Sequence, residues 1–488
     1  MNRPSRFDAL GLACVLAFIG AFIGLRWGAR APSAEQARAQ LLDSSTEIQE
    51  GEEWLGLYLG AERAGYIHLE KAREPTGWRY RVETRFRLLG AAGGEVALVV
   101  DAHLDAALAL SAFEFDVDAG PARFGGRGTV DGQTLTLAIE TGGETVTRAL
   151  SLPRPPVLRS TLGPLLARLD HTPGARTTLQ LFDPLTQRDE PVEIEVVGPD
   201  TLVVLGEQVA VTHIRQHSRG MALDAWLNAR GELLRQELGL GLVAVRETEE
   251  EARFGLVQAR SGRAGADLRA LTAIPVAGMP DDVATRKSLR LRIQGAEGLK
   301  LDDDRQQRVD DVLVIRREPA WPGLALDAVA HDDPDLAPEP LIQADHPRIQ
   351  AVARRVVGDA ADTREAAERL RRFVHGHVDE EVVAGVPSAL EVLENGRGDC
   401  NEHAVLFAAL ARAAGVPTRI ETGLVYQDGR FAWHAWNSVR VTLGWLSVDA
   451  TWDQQPVDVG HLRLATGGLD AQADLLRLMG QLRIEVAK

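Results

Sequence analysis

Gly396-Arg-Gly-Asp-Cys400-Asn-Glu-His-Ala404, then Trp433-His434-Ala-Trp436, then Leu446-Ser-Val-Asp449-Ala-Thr-Trp452 are the segments of this 488-residue chain whose reading decides the rest. Asn395-Gly-Arg-Gly398 is a turn signal, and the apolar run after it ends at Gly415-Val-Pro417, a clean helix stop. The turn therefore delivers Cys400 to the start of a helix over 400–414, with Asp399 as its N-cap. A thiol in that first turn feels the positive end of the helix dipole, which favours thiolate. Three strand-like runs follow at 418–426, 430–441 and 445–449, the first pair joined at Asp428-Gly429. His434 and Asp449 then sit on adjacent strands of one hairpin, side by side. A nucleophile, a base and an orienter for the base are what thiol-based acyl transfer requires. Backbone N–H groups at Cys400 can form part of an oxyanion hole.

Upstream of this segment the period is helical from Asp345. Ile349 to Val357 and Ala366 to Val374 each carry an apolar stripe, Asp362-Thr-Arg-Glu365 offers capping residues, and Ser388 can cap a short helix through Leu393. His403 follows Cys400 by three residues on the same helix face. A Cys-x-x-His metal pair finds no further ligands, so helix packing or support of the site is the better reading. His375 and His377 suit a helix C-terminus. Trp433, Trp436, Trp445 and Trp452 read mostly as aromatic core. Asp453, four residues past Asp449, is the alternative carboxylate.

The rest of the chain is of a different kind. From Trp54 to about Arg253, short alternating runs are broken by glycine pairs, and Thr129 to Leu137 is a hairpin signal with Asp131-Gly132 at its turn. Val192 to Val196, Leu202 to Leu205, and the strand-turn-strand pattern Trp226 to Arg235 continue it. A weaker β pattern occupies Leu289 to Ile293 and Val312 to Ile315. Between them Asp302-Asp303-Asp304 lacks the glycine and glutamate of a calcium loop and reads as an acidic turn. Residues 318–340 are a proline-rich linker.

Ala9 to Leu25 is an uncharged apolar run flanked by Arg3, Arg6, Arg26 and Arg30. It predicts an uncleaved transmembrane anchor, with Trp27 at the headgroup level. A cleaved signal peptide ending at Ala29-Arg30-Ala31 is the competing reading, against which Pro32 argues.

A formal net charge of −16 argues against nucleic-acid binding. Two cysteines, Cys14 and Cys400, permit no disulfide framework and no cysteine zinc cluster.

Taken together, Cys400 opening a helix that ends Ala-Gly-Val-Pro-Thr-Arg419, His434-Ala-Trp436 and Val448-Asp449-Ala-Thr451 resemble the bacterial transglutaminase-like superfamily. The resemblance spans roughly residues 345–488. It implies a papain-like core with Cys400 as nucleophile, His434 as general base and acid, and Asp449 as orienter. The upstream tryptophan that supplies an oxyanion donor in animal transglutaminases has no counterpart, since no tryptophan lies between Trp321 and Trp433.

The fold class expected is therefore α+β. A transglutaminase-like (papain-like cysteine protease) domain at 341–488 follows a membrane anchor at 1–30, a linker at 31–53, a β-rich domain at 54–255, and a small β module with linker at 256–340. The function expected is that of a membrane-anchored thiol enzyme acting on amide bonds of protein or peptide substrates through a Cys400 thioester, by hydrolysis or by transfer to an amine. A non-catalytic envelope scaffold or peptide-binding protein is the alternative. No metal and no cofactor is expected. The location expected is the bacterial inner membrane, single-pass, with the soluble domains periplasmic or otherwise extracytoplasmic.

Overall fold

The structure, a computed structural model, describes residues 49–487 apart from 88–94, 107, 119–122, 142–143, 153–155, 159–161, 167–169, 184–187, 219–220, 240, 262–272, 340, 382–387, 468–474, 476–477 and 479–480. Strand accounts for 53% and helix for 18%, so the protein is mostly β, and the expected α+β class is corrected. The physical reason is where the helical period lies. It is concentrated around Cys400, whereas two-residue alternation with glycine turns runs through nearly everything from 51 to 247.

The expected membrane anchor and inner-membrane location are also corrected. Among the described residues no helix is long and apolar enough to cross a membrane. The run Ala9 to Leu25 lies outside the described residues.

The chain divides near residue 267 into two compact units. The first is built on one fourteen-stranded antiparallel sheet. Its first half comprises β1 (Gly51–Leu59), β2 (Glu62–Glu74), β3 (Gly77–Arg87), β4 (Glu95–Asp105), β5 (Leu110–Asp118), β6 (Arg123–Asp131), β7 (Thr134–Thr141) and β8 (Glu144–Ser151). After a short helix α1 (Leu162–Leu166) come β9 (Arg176–Asp183), β10 (Arg188–Val204), β11 (Glu207–Ser218), β12 (Met221–Leu227), β13 (Leu233–Gly239) and β14 (Leu242–Glu247). Each strand lies beside its neighbour in sequence, except that β1 pairs with β14 and leaves β8 and β9 as the edges.

Local sequence explains the pairing. On β5, Phe113, Phe115 and Val117 are buried while Glu114 and Asp116 are exposed, the alternation of a sheet with one packed face. Asp131-Gly132 joins β6 to β7 with Gly132 at φ 57°. The two strands expected around Val192 and Leu202 are instead one strand, β10. The register shifts between Val196 and Gly198, and Gly198 at φ 144° absorbs what reads as a break. Helix α2 (Glu249–Ser261) closes the unit, Ala252 and Leu256 packing with Trp54 and Tyr66.

The second unit carries the helices α3 (Pro347–Val357), α4 (Thr363–His377), α5 (Ala389–Asn395) and α6 (Cys400–Ala413). They pack on a sheet in which β22 (Arg430–Val441) pairs with β15 (Ile274–Pro275), β21 (Thr418–Gln427) and β23 (Gly444–Val448), while β24 (His461–Thr466) pairs with β21. Asp428 and Gly429, at φ 48° and 82°, make the tight turn from β21 to β22 that Asp-Gly favours. A second sheet joins β16 (Ser288–Gln294), β17 (Gln306–Val309) and β18 (Val312–Arg316) to β25 (Arg483–Val486) near the C-terminus. The acidic run between β16 and β17 is tied down as a turn. Asp302 accepts from the N–H of Arg308, Asp303 from the N–H groups of Arg305 and Gln306, and Asp303 pairs with Arg463.

Candidate functional site

The residues before Cys400 are shaped by successive caps. Ser388 accepts from the N–H of Glu391 to start α5, and Gly396, in the left-handed region at φ 61°, ends it. The chain then forms β20 (Arg397–Gly398), paired in parallel with β19 (Asp379–Glu380). A side chain at 398 would place its Cβ 2.1 Å from Cβ of Glu402, so this approach requires glycine. Asp399 caps α6 by accepting from the N–H of Asn401 at 2.7 Å, while Glu402 accepts from the N–H of Asp399 at 2.7 Å, a reciprocal capping box. Residues 400–412 of α6 are buried on every side, so this is a core helix rather than an amphipathic one. Helices α3, α4 and α5 pack around it together with β21 and β22.

Cys400 is buried at the first position of α6, as the turn-and-cap pattern predicts. It shares one core cluster with Ala435 and Ala450, the residues directly after His434 and Asp449. His434 Nε2 and Asp449 Oδ2 are 2.8 Å apart, and both side chains are buried. The hairpin of β22 and β23 sets this contact, with Asp449 directly following β23.

Asp449 is the most heavily bonded carboxylate at the site. Its Oδ1 accepts from the N–H groups of Thr451 at 2.7 Å and Trp452 at 3.2 Å. Its Oδ2 accepts from His434 and, at 3.2 Å, from His461 Nε2. Burial alone would raise its pKa, but the charge of His434 and the bonds from both histidines hold it well below the usual carboxylate range. His461 and its second partner Asp458, 3.2 Å from Nδ1, were not foreseen from the sequence. Its local mark is a histidine opening the strand His461-Leu-Arg-Leu-Ala-Thr466, and no local spacing ties it to Asp449.

His434, Asp449 and His461 also present one potential ligand atom each within 4.8 Å. Direct N···O separations of 2.8 and 3.2 Å are those of hydrogen bonds, whereas ligands spread tetrahedrally around zinc at about 2.1 Å stand farther apart. The remaining neighbours take structural places. His403 Nδ1 lies 2.6 Å from the carbonyl of Asp399, and burial pushes its pKa down. His375 Nδ1 and His377 Nε2 lie against the carbonyls of Ala450 and Leu393. Asp453 pairs with the buried Arg371. Trp436 stacks on His434 with centroids 6.0 Å apart, and Trp452 tilts against it at 5.3 Å.

Residues 350–450 match the transglutaminase-like superfamily. That window holds Cys400, His434 and Asp449 and stops before Asp458 and His461. No curated protein matches this chain. Among solved structures, the chain is similar to a candidate cysteine protease from Cytophaga hutchinsonii, at 16% identity and TM-score 0.27, over 43% of this chain and 78% of that one. It is also similar to a β-barrel-like protein of unknown function from Brucella abortus, at 13% identity and TM-score 0.32, over 42% of this chain and 98% of that one. A candidate protease from Parabacteroides distasonis matches at 13% identity and TM-score 0.18, over 38% of this chain and 44% of that one.

Proposed function

We propose that the transglutaminase-like domain is a thiol acyl-transfer enzyme acting on amide bonds of protein or peptide substrates. Cys400 is its nucleophile, His434 its base and acid, and Asp449 the orienter. The observation that carries the reading is the buried His434–Asp449 pair at 2.8 Å, whose next residues in sequence, Ala435 and Ala450, share one core cluster with Cys400 at the helix terminus.

In this mechanism the Cys400 thiol gives its proton to His434, and Sγ attacks the amide carbonyl carbon. The C–S bond forms as the carbonyl π electrons move to oxygen, where backbone N–H groups at the start of α6 stabilise the charge. Collapse breaks the C–N bond, and the proton on His434 leaves with the amine. A thioester remains. Water or a second amine, deprotonated by His434, then attacks it and releases the thiolate. Bonding Asp449 through Nε2 assigns Nδ1 of His434 to the proton exchanged with the thiol, and the carboxylate stabilises the imidazolium in each half-reaction.

The test is a panel of peptide amides assayed for hydrolysis and for incorporation of a labelled amine. Wild type should form a hydroxylamine-sensitive thioester that Cys400→Ala cannot form, and His434→Ala should lose turnover by several orders of magnitude. Amide turnover undiminished in folded Cys400→Ala would refute the reading.

A further inference from the structure

We propose that His461 is a fourth member of the thiol site, a positioning residue that locks the Asp449 carboxylate against His434 and is itself held by Asp458. The inference rests on the Cys400–His434–Asp449 reading above. Its ground is geometric. Asp449 Oδ2 receives Nε2 of His434 at 2.8 Å and Nε2 of His461 at 3.2 Å, while two backbone N–H groups occupy Oδ1. Neither oxygen can turn away without giving up a bond, so the carboxylate has one orientation. The two histidines come from strands on opposite sides of β21, His434 from β22 and His461 from β24, and converge on Asp449 with their ring centroids 5.6 Å apart.

His461 is equally fixed on its other side. Its Nδ1 lies 3.2 Å from Asp458 Oδ1, and Asp458 is in turn held by the N–H of Gly460 at 2.8 Å and by Gln454 Nε2 at 3.1 Å. A neutral imidazole carries a single N–H, so carboxylates on both nitrogens are both satisfied only by the imidazolium. Burial disfavours that form, but the two carboxylates outweigh it and raise the His461 pKa. Trp436 and Trp452 stand nearly perpendicular to the ring, at 82° and 78°. The other charged groups facing it are His434, across the shared carboxylate, and Arg305, which donates to the backbone carbonyls of His461 and Asp458 and pairs with Glu318.

During turnover the proton moves from Cys400 to His434, and the new imidazolium needs Asp449 already in place. A carboxylate pinned from a second side does not reorganise at that moment. Asp458 supplies the negative charge that keeps His461 charged inside the protein.

Alkylation of Cys400 by iodoacetamide in the full-length chain reads nucleophile activation without a substrate, with Cys400→Ala as the blank for Cys14. His461→Phe should slow alkylation at neutral pH by about ten- to hundredfold, the worth of a charge-assisted hydrogen bond. His461→Gln keeps an N–H donor where Nε2 stood and should regain most of that rate. Both variants should move the pH–rate profile to higher pH, because a positive charge near the thiolate is gone.

His461→Phe that melts like wild type and reacts at the wild-type rate throughout the profile overturns the proposal. So does His461→Gln no faster than His461→Phe, which would assign the loss to shape. If His461→Phe does not fold, Asp458→Asn decides: a shifted profile supports the proposal and an unchanged one overturns it. The underlying reading fails separately, by wild type reacting no faster than His434→Ala.

Discussion

Asp449 and the Asp399–Glu402 pair are all buried in the transglutaminase-like domain, yet the protein treats them in opposite ways. Asp449 accepts from four donors, two of them imidazoles, and stays ionised far below the ordinary carboxylate range. Asp399 and Glu402 cap the Cys400 helix with backbone bonds, but Asp399 Oδ2 meets no N–H, and the donor left for it is a proton on Glu402. Burial and the neighbouring Asp399 charge push Glu402 well up, and burial raises Asp399 as well. Depth is the same in the two places, so what decides the charge is the sign of the partners. The lesson is one of division: the carboxylate whose pKa is held down faces the histidines, and the pair whose pKa values burial raises builds the turn that presents the thiol.

The sharpest test of that division is Asp449→Asn. The amide is nearly isosteric but cannot stabilise an imidazolium and offers the wrong pattern of donors to two Nε2–H groups. Turnover should fall by about four orders of magnitude with the fold retained. The measurement is amide hydrolysis with thermal melts alongside. Asp453→Asn is the companion variant: because Asp453 pairs with Arg371 and not with a histidine, its expected effect is on stability, and a collapse of activity there would break the comparison. Acid should act on the same group. A carboxylate whose folded pKa is depressed contributes stability that is present above about 3.9 and is lost as pH falls below it, so Asp449→Asn should flatten the acid limb of the melting curve.

A second test, of middle size, is Gly398→Ala. The new methyl would collide with the Glu402 side chain, close to its backbone end, so the capping box must open. The expected cost is about 1–3 kcal/mol by denaturant unfolding, with slower Cys400 alkylation because the helix start is displaced. Stability lost with alkylation unchanged would show that the acid pair does not position the thiol.

Much of this site is legible in the chain because it is written locally. Asp399 before Cys400 is an N-cap at fixed spacing, Gly396 and Gly398 mark the turn, and Asp428-Gly429 fixes the hairpin that carries His434. Caps and turns depend on neighbours a few residues away, and those survive in a bare sequence. His461 and Asp458 are not legible in that way. They reach Asp449 only after β24 has paired with β21, and a strand-opening histidine carries no mark of its tertiary partner. The same holds for Gly198, which reads as a break but serves as a bulge in the continuous β10. The α+β class gives way to a mostly β one for a related reason. The helical period around Cys400 is the strongest local pattern, while the weaker alternation upstream covers far more of the chain.

The smallest expected effect concerns the Asp399–Glu402 pair and is a change of slope. In the folded chain Glu402 keeps its proton to a higher pH than the value of about 4.3 it has unfolded. Between those two pKa values the unfolded state binds fewer protons than the folded one, so stability must decline as pH rises through the window. Glu402→Gln removes that titration. Its amide oxygen can still accept from the N–H of Asp399, and its NH2 can donate permanently to Asp399 Oδ2, whatever the pH. Melting temperatures measured from acidic to mildly alkaline pH should therefore decline for wild type and decline less for Glu402→Gln, with the two curves furthest apart at the alkaline end. Parallel curves would mean that Glu402 is ionised in the folded protein, and the contrast with Asp449 would then rest on hydrogen-bond number alone.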